Sequence, residues 1–413
     1  MSSDDLPIGR RVARWRVRRS MTQQQLADRL CRSKSWVDKV ERGVRALDRY
    51  SVIQELAEVL RVDPEVLLSQ RSRRTPFGTV DGVDDIRAAL AHYDIPQAPA
   101  QTTEEARRRV GYAWLTYQHA DYAQLARALP GLLDVVQGAR SPELLVQAYR
   151  ITSSLLVKLG EADLGWLAAD RAMSAAGDDP VLAATAAISV GQALRAQDRD
   201  QLALTALLPA ANRVLPPSSQ RGDQEVSGTF KDQTSRKPLD HRGRDDRREW
   251  AVGGTLLVQG ALAAAGCGEH RRAADLIDRA AGIAASLRGY DDPHRTSFGP
   301  AALDVARVLL AASRGDVAEA VRRHSGVVRR EGWRRLPAEY RSAYLLDVAR
   351  AYLRVGDLRG AARALVDADH VAPAEVRCRP LARTLIAEIA EIARARPAPA
   401  GVARLATVVG LTR

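Results

Sequence analysis

Lys34, Ser35 and Lys39 fall on one outward face of a short helical pattern that begins at Ser33. Their types support one kind of chemistry. Lysine donates hydrogen bonds to guanine O6 and N7, serine serves either groove edge, and the free amides at a helix start bind phosphate. The use of lysine carries weight, because only five of the 62 basic residues are lysines: Lys34, Lys39, Lys158, Lys231 and Lys237. Arginine is the habitual cation of this Ala- and Arg-rich text, so its abundance says little about phosphate binding. Two of the five lysines on one face favour a reading surface over a solvated charge cluster. The surrounding field agrees, since residues 1 to 75 hold 17 Lys+Arg against 10 Asp+Glu, which is +7 of the chain's +12.

No other chemistry of comparable specificity emerges. Cys31, Cys267 and Cys378 are far apart and lack nearby histidine pairs, so they form neither a disulfide framework nor a zinc-ligand spacing, and a reducing compartment is expected. The histidines are scattered, with no HExxH, no paired cysteine and no Gly-rich phosphate loop. The expectation is therefore no enzyme, no metal and no cofactor. The opening residues MSSDDLPIGRR lack the apolar run of a signal peptide. The uncharged run from Trp250 to Gly268 is Ala- and Gly-rich and contains Gln259, so it reads as a buried helix of a cytoplasmic protein with no membrane partner.

The elements that must position the lysine face are legible from period and caps. Ile8, Val12 and Trp15 make one helical face over residues 8 to 20, which places Trp15 in a core. Thr22 with Gln25 forms a capping box for a helix from Gln23 to Leu30 that turns Leu26, Ala27 and Leu30 inward. Ser33 caps a third helix through Arg42, with Val37 and Val40 inward and Gly43 as its left-handed end. A fourth helix over Ser51 to Leu60 and a fifth opened by Asp63-Pro64 complete a five-helix unit.

This pattern resembles the Xre-type (phage-repressor and Cro-like) helix-turn-helix domains over about residues 6 to 69. The resemblance rests on Thr22-Gln23, Leu26-Ala27, Ser33, the Val37/Val40 spacing, Glu41-Arg42-Gly43 and a closing Leu-x-Val-Asp-Pro. It implies double-stranded DNA as partner, with Lys34, Ser35 and Lys39 at base edges, Ser33 at the cap, and Gln23 on the backbone or a flanking base. Trp36 fits two roles, a thymine-methyl or sugar contact and a packing contact. Arg32, Arg42 and Arg45 flank the helix as phosphate contacts. The resemblance also pairs Glu41 with Arg16. One position departs from it: the turn glycine is replaced by Cys31, at a cost on the order of 1 kcal/mol.

Residues 71 to 103 read as a linker with one short helix (Ile86, Leu90, Tyr93), leaving 1 to 70 as the head and 104 to 413 as a second domain. That domain shows helical pairs and no strand pattern. Polar turns at Ala120-Asp121, Gly160-Glu161, Asp198-Arg199, Gly268-Glu269, Gly315-Asp316 and Gly356-Asp357 recur about every 40 residues, with one gap of about 70. The excess is residues 216 to 249, charged and nearly without apolar residues, which read as a disordered insertion. The pairs resemble tetratricopeptide-type repeats, so the expected fold is all-α, a helix-turn-helix domain followed by an α-helical solenoid with a concave partner-binding face. Thr296-Ser297-Phe298-Gly299-Pro300 resembles a segment of actinobacterial-type regulators of this architecture and reads as a helix start or, alternatively, part of a ligand pocket. The expected function is a DNA-binding transcriptional regulator whose repeat domain forms a homodimer or senses a peptide, protein or small-molecule effector. The competing expectation is a repeat scaffold whose helix-turn-helix is a docking module.

Overall fold

The computed structural model describes residues 8–19, 21–45, 47, 50–62, 67, 80–92, 102–215, 241–287, 292–394 and 400–408. The fifth head helix expected at Asp63-Pro64, the first residues of the linker and residues 216 to 240 lie outside these. Among the described residues every regular element is a helix.

The head contains α1 (Ile8–Arg18), α2 (Gln23–Arg29), α3 (Lys34–Glu41) and α4 (Tyr50–Leu60). Local chemistry sets each boundary. The Thr22 hydroxyl accepts from the Gln25 amide at 3.1 Å while the Gln25 side chain accepts from the Thr22 amide at 2.8 Å, so two orphan donors are satisfied reciprocally. Ser33 Oγ accepts from the Trp36 amide at 3.1 Å and starts α3. Cys31 holds the turn between them in the left-handed region at φ 52°, and Gly43 follows α3 at φ 75°. Val12, Leu26, Ala27, Val37, Val40, Ile53 and Leu56 form the core, with Trp15 partly buried against it. At Gly9 the backbones of α1 and α3 meet, because a Cβ there would stand 2.1 Å from the Val40 carbonyl oxygen.

After the linker helix α5 (Val83–Ala91) come six helical pairs: α6 (Thr103–Gln118) with α7 (Tyr122–Ala139), α8 (Pro142–Leu159) with α9 (Ala162–Ala176), α10 (Pro180–Ala196) with α11 (Asp200–Val214), α12 (His241–Gly266) with α13 (His270–Ser286), α14 (Pro300–Ser313) with α15 (Val317–Val327), and, after the short α16 (Glu331–Arg335), α17 (Ala338–Arg354) with α18 (Leu358–Val371). The segments α19 (Pro373–Arg377), α20 (Pro380–Arg394) and α21 (Ala400–Val408) follow. Each of the six polar turns lies inside a pair, and each carries a left-handed residue: Ala120, Gly160, Asp198, Gly268, Gly315 and Gly356, with φ between 57° and 88°. Reversing a helix onto itself in two residues demands that conformation.

One expected boundary is corrected. Residues 241 to 249, assigned to the disordered insertion, form the first turns of α12. Once the apolar stretch from Trp250 is helical, extending it backward adds one hydrogen bond per residue without a new nucleation cost, so the charged text continues the helix.

The first helices of successive pairs touch one another in the order α6, α8, α10, α12, α14, α17, and α17 returns to α6. The solenoid is therefore closed, with the first helices as its inner layer. Ala338 and Ala372 join the core of α6 to α9, and Pro380 packs on Gly160. An ionic cluster marks the closure. Lys158 Nζ donates to Glu339 Oε2 at 2.9 Å and to Glu375 Oε1 at 2.5 Å, Arg379 Nη1 donates to Glu375 Oε2 at 2.7 Å, and the Tyr122 hydroxyl bonds Glu375. Burial alone would raise the Glu375 carboxyl, but Lys158 and Arg379 outweigh it and hold the group below the ordinary carboxylate value.

Candidate nucleic-acid interface

Lys34, Ser35 and Lys39 of helix α3 are exposed, as is its cap Ser33, while Val37 and Val40 face the core. The lysines are thus aligned by the same period that buries the valines. Trp36 is half-buried against the head core, with the guanidinium groups of Arg32 and Arg45 5.7 Å and 5.9 Å from the centre of its ring. This arrangement favours packing as its resting role and places two cations beside the reading face. Arg32 also lies 3.8 Å from Glu55, and Asp38 pairs with Arg42 at 2.6 Å, which removes a free negative charge from the face.

Behind α3 a buried network fixes its angle. Glu41, 5% exposed, accepts from Arg16 Nε at 2.6 Å, Arg16 Nη2 at 3.0 Å and Gln23 Nε2 at 2.8 Å. Arg16 also donates to the Met21 carbonyl at 2.7 Å, so one guanidinium ties α1 to both the α2 entrance and the α3 exit. The fork geometry is bidentate, and the hydrogen bond to Glu41 raises the Arg16 pKa. Gln23, at the start of α2, also donates one amide N–H to Glu41, which fixes its side chain beside the entrance to α3.

The head does not stand apart from the ring. Leu115 on α6, 4% exposed, belongs to the head's own apolar core. Arg11 on α1 lies near Tyr112 of α6, its guanidinium pKa lowered by burial, and Gln54 on α4 donates to the Arg334 carbonyl at 2.6 Å. These contacts use α1 and α4 and leave the α3 face open. Sequence period could not show them, since Leu115 satisfies the repeat pattern whichever side it faces.

Elsewhere, no group of His, Cys, Asp and Glu that could hold a metal occurs among the described residues. No helix among them is long and apolar enough to cross a membrane. A cleft of about 570 Å³ lies between α5, the end of α8 and the start of α20, and carries Asp81, Asp84, Asp85, Arg87 and Arg383 at its rim. Its one thiol, Cys378, has its pKa pushed up to about 11 by burial and is unsuited to nucleophilic work.

Residues 7–69 match the family described as "Helix-turn-helix domain". No curated protein matches the chain. Among solved structures, Bacillus thuringiensis PlcR in complex with the peptide PapR7 and DNA is similar at 12% identity, covering 78% of this chain and 93% of that one with a TM-score of 0.35. A Rap protein complexed with Competence and Sporulation Factor is similar at 10% identity over 98% of this chain and 96% of that one, with a TM-score of 0.48. Neither likeness is close enough to carry anything over to this chain.

Proposed function

We propose that the chain is a cytoplasmic, sequence-specific DNA-binding transcriptional regulator of the Xre-type, in which the helix-turn-helix head reads an operator and the closed helical ring receives an effector. The observation that carries this reading is the open Lys34-Ser35-Lys39 face on a capped helix, held in place from behind by Arg16, Gln23 and Glu41. Base-edge donors are useful only when their helix enters the groove at a fixed angle, and the network supplies that angle. Flanking Arg32, Arg42 and Arg45 position the head on phosphates, which gives affinity without sequence information. One small head buries limited surface, so two heads on half-sites about one helical turn apart are expected, and a homodimer supplies them. An effector acts only through different affinities for two arrangements of the heads. Leu115 offers the route, being shared by the head core and an inner-layer helix.

The test is selection of genomic fragments by the full-length protein, followed by titration of the selected duplex over a range of salt. Specific binding should weaken steeply with salt, and Lys34→Ala/Lys39→Ala should lower discrimination between selected and scrambled duplex by about 10- to 100-fold. Absence of retention of any fragment at low salt would overturn the reading and leave the head as a protein-docking module.

A further inference from the structure

Arg150, on inner-layer helix α8, is 3% exposed and has no carboxylate within ion-pairing distance among the described residues. Its one hydrogen bond runs from Nη1 to the backbone carbonyl of His294 at 3.1 Å, while Nε is buried without a partner. The guanidinium lies 5.3 Å from the centre of the Trp114 ring on α6. Burial pulls its pKa down to about 10, and Asp292 offsets this only in part. A buried cation facing a neutral carbonyl is an expensive arrangement that a protein has little reason to keep for stability alone.

Three neighbouring polar atoms are in the same condition. Trp114 Nε1 and, one turn along α6, Gln118 Oε1 are buried without partners, as is Ser153 Oγ one turn along α8 from Arg150. Trp114, Gln118 and Ser153 are 4%, 7% and 1% exposed. Native proteins satisfy nearly all such groups, and here four of the eleven that occur among the described residues fall on one turn each of two helices in contact, with Arg150 over the Trp114 ring. Arg150 Nε and Trp114 Nε1 can only donate, Gln118 Oε1 can only accept, and Ser153 Oγ can do either.

The covering segment, residues 292 to 299, enters from far along the chain. Asp292 accepts from the Thr296 amide at 3.0 Å and the Ser297 amide at 2.7 Å, Arg295 and Ser297 hold left-handed φ of 55°, and the Phe298 ring seats against Gly254 of α12. Gly299 and Pro300 then start α14, as the helix-start reading of this stretch expects. The His294 carbonyl thus reaches across the ring to a helix that is not a ring neighbour of α14, and occupies the place of an oxygen ligand.

We propose that Arg150, Trp114 and Ser153 form a binding site for a small organic carboxylate that also carries an N–H group, with Gln118 accepting from that N–H and the His294 carbonyl yielding its place to the carboxylate. This deepens the effector-sensing half of the proposed function and rests on it. A carboxylate offers the buried guanidinium a full opposite charge and a second acceptor oxygen, neither of which a single neutral carbonyl supplies, and this drives the exchange. Site and head are then joined through α6, which carries Trp114 toward the site and Leu115 into the head core.

The experiment uses the full chain without DNA, so its outcome is independent of whether the head binds an operator. Thermal midpoints are recorded against N-acetyl-L-leucine, its uncharged methyl ester and inorganic phosphate, each up to tens of millimolar. The carboxylate should raise the midpoint, the shift growing with the logarithm of its concentration once that exceeds Kd, and the ester should not. Trp114→Phe, which keeps the ring and removes one donor, should weaken the apparent affinity about 10-fold, and Arg150→Gln should abolish the response. Arg150→Met, measured without ligand, should raise the midpoint, because it removes a buried cation that is only partly compensated. No response to the carboxylate, an equal response to the ester, a response to phosphate alone, or an undiminished response in Arg150→Gln would each overturn the site. A fall in the midpoint of Arg150→Met would overturn the claim that the arginine is retained for binding.

Discussion

Glu41→Ala should loosen the recognition helix more than any other single change in the head. The substitution deletes the acceptor of three hydrogen bonds, two from Arg16 and one from Gln23, at a position 5% exposed. Removing one partner of a buried ion pair costs about 3–5 kcal/mol, because the other charge stays behind without compensation. The Arg16 side chain is 14% exposed and keeps its bond to the Met21 carbonyl, which places the expected loss near the lower end, about 3 kcal/mol. A unit of this size has little more than that to lose. Amide hydrogen exchange resolves the effect locally: amides of α2 and α3 should exchange about 100-fold faster while those of α17 and α18 stay unchanged. Arg16→Met/Glu41→Met should recover most of the loss, giving a coupling of about 2 kcal/mol in the double-mutant cycle. A change below about 5-fold in α3 exchange, or additive single mutants, would refute the claim that this pair fixes the angle of the reading helix.

Three further outcomes are expected. Gly9→Ala places a methyl group 2.1 Å from the Val40 carbonyl, a backbone atom that cannot give way cheaply, so α1 and α3 must separate and operator affinity should fall at least about 10-fold by anisotropy. Leu115→Ala, made far outside the head in sequence, should cost about 2–5 kcal/mol and speed exchange in α1 and α4, whereas a change confined to α6 would deny it a place in the head core. His119, whose pKa is lowered to about 4 by burial and then by Arg341, is held neutral in the folded chain. The unfolded chain takes up that proton first, so the stabilisation is complete above about pH 6.5 and declines as pH falls to about 4, by up to about 3 kcal/mol. Urea midpoints of His119→Asn should lose that part of the slope, and an identical slope would contradict it.

Legibility in the sequence followed the range of the interaction. Thr22, Gln25, Ser33 and Gly43 act on backbone groups within four residues, so type and spacing state their roles directly. The six intra-pair turns are local in the same sense and emerge at their stated positions. The bond from Gln23 to Glu41 leaves no local signal because its partner lies on another helix, and the helix over residues 241 to 249 leaves none because composition records solvation and ignores a helix propagating into them. Ring closure leaves no period at all, since Lys158 meets Glu375 across 217 residues. One trace of it was present. A chain that writes arginine almost everywhere wrote lysine at 158, where two carboxylates converge and a compact ammonium fits better than a planar fork.

Closure of the ring also constrains how this protein can change over generations. An open array of helical pairs gains or loses a unit by duplication or deletion at modest cost, because each unit touches only its neighbours. Here the seam joining α6 and α8 to α17 and α19 forms only when the accumulated rotation of the intervening pairs brings those surfaces face to face. Deleting one pair would leave Lys158 and Glu375 pointing past each other, each charged and newly exposed along with the apolar strip beside it. The number of pairs is therefore fixed by geometry, and the freedom to vary passes to the connections between pairs, which is where the long insertion between α11 and α12 lies.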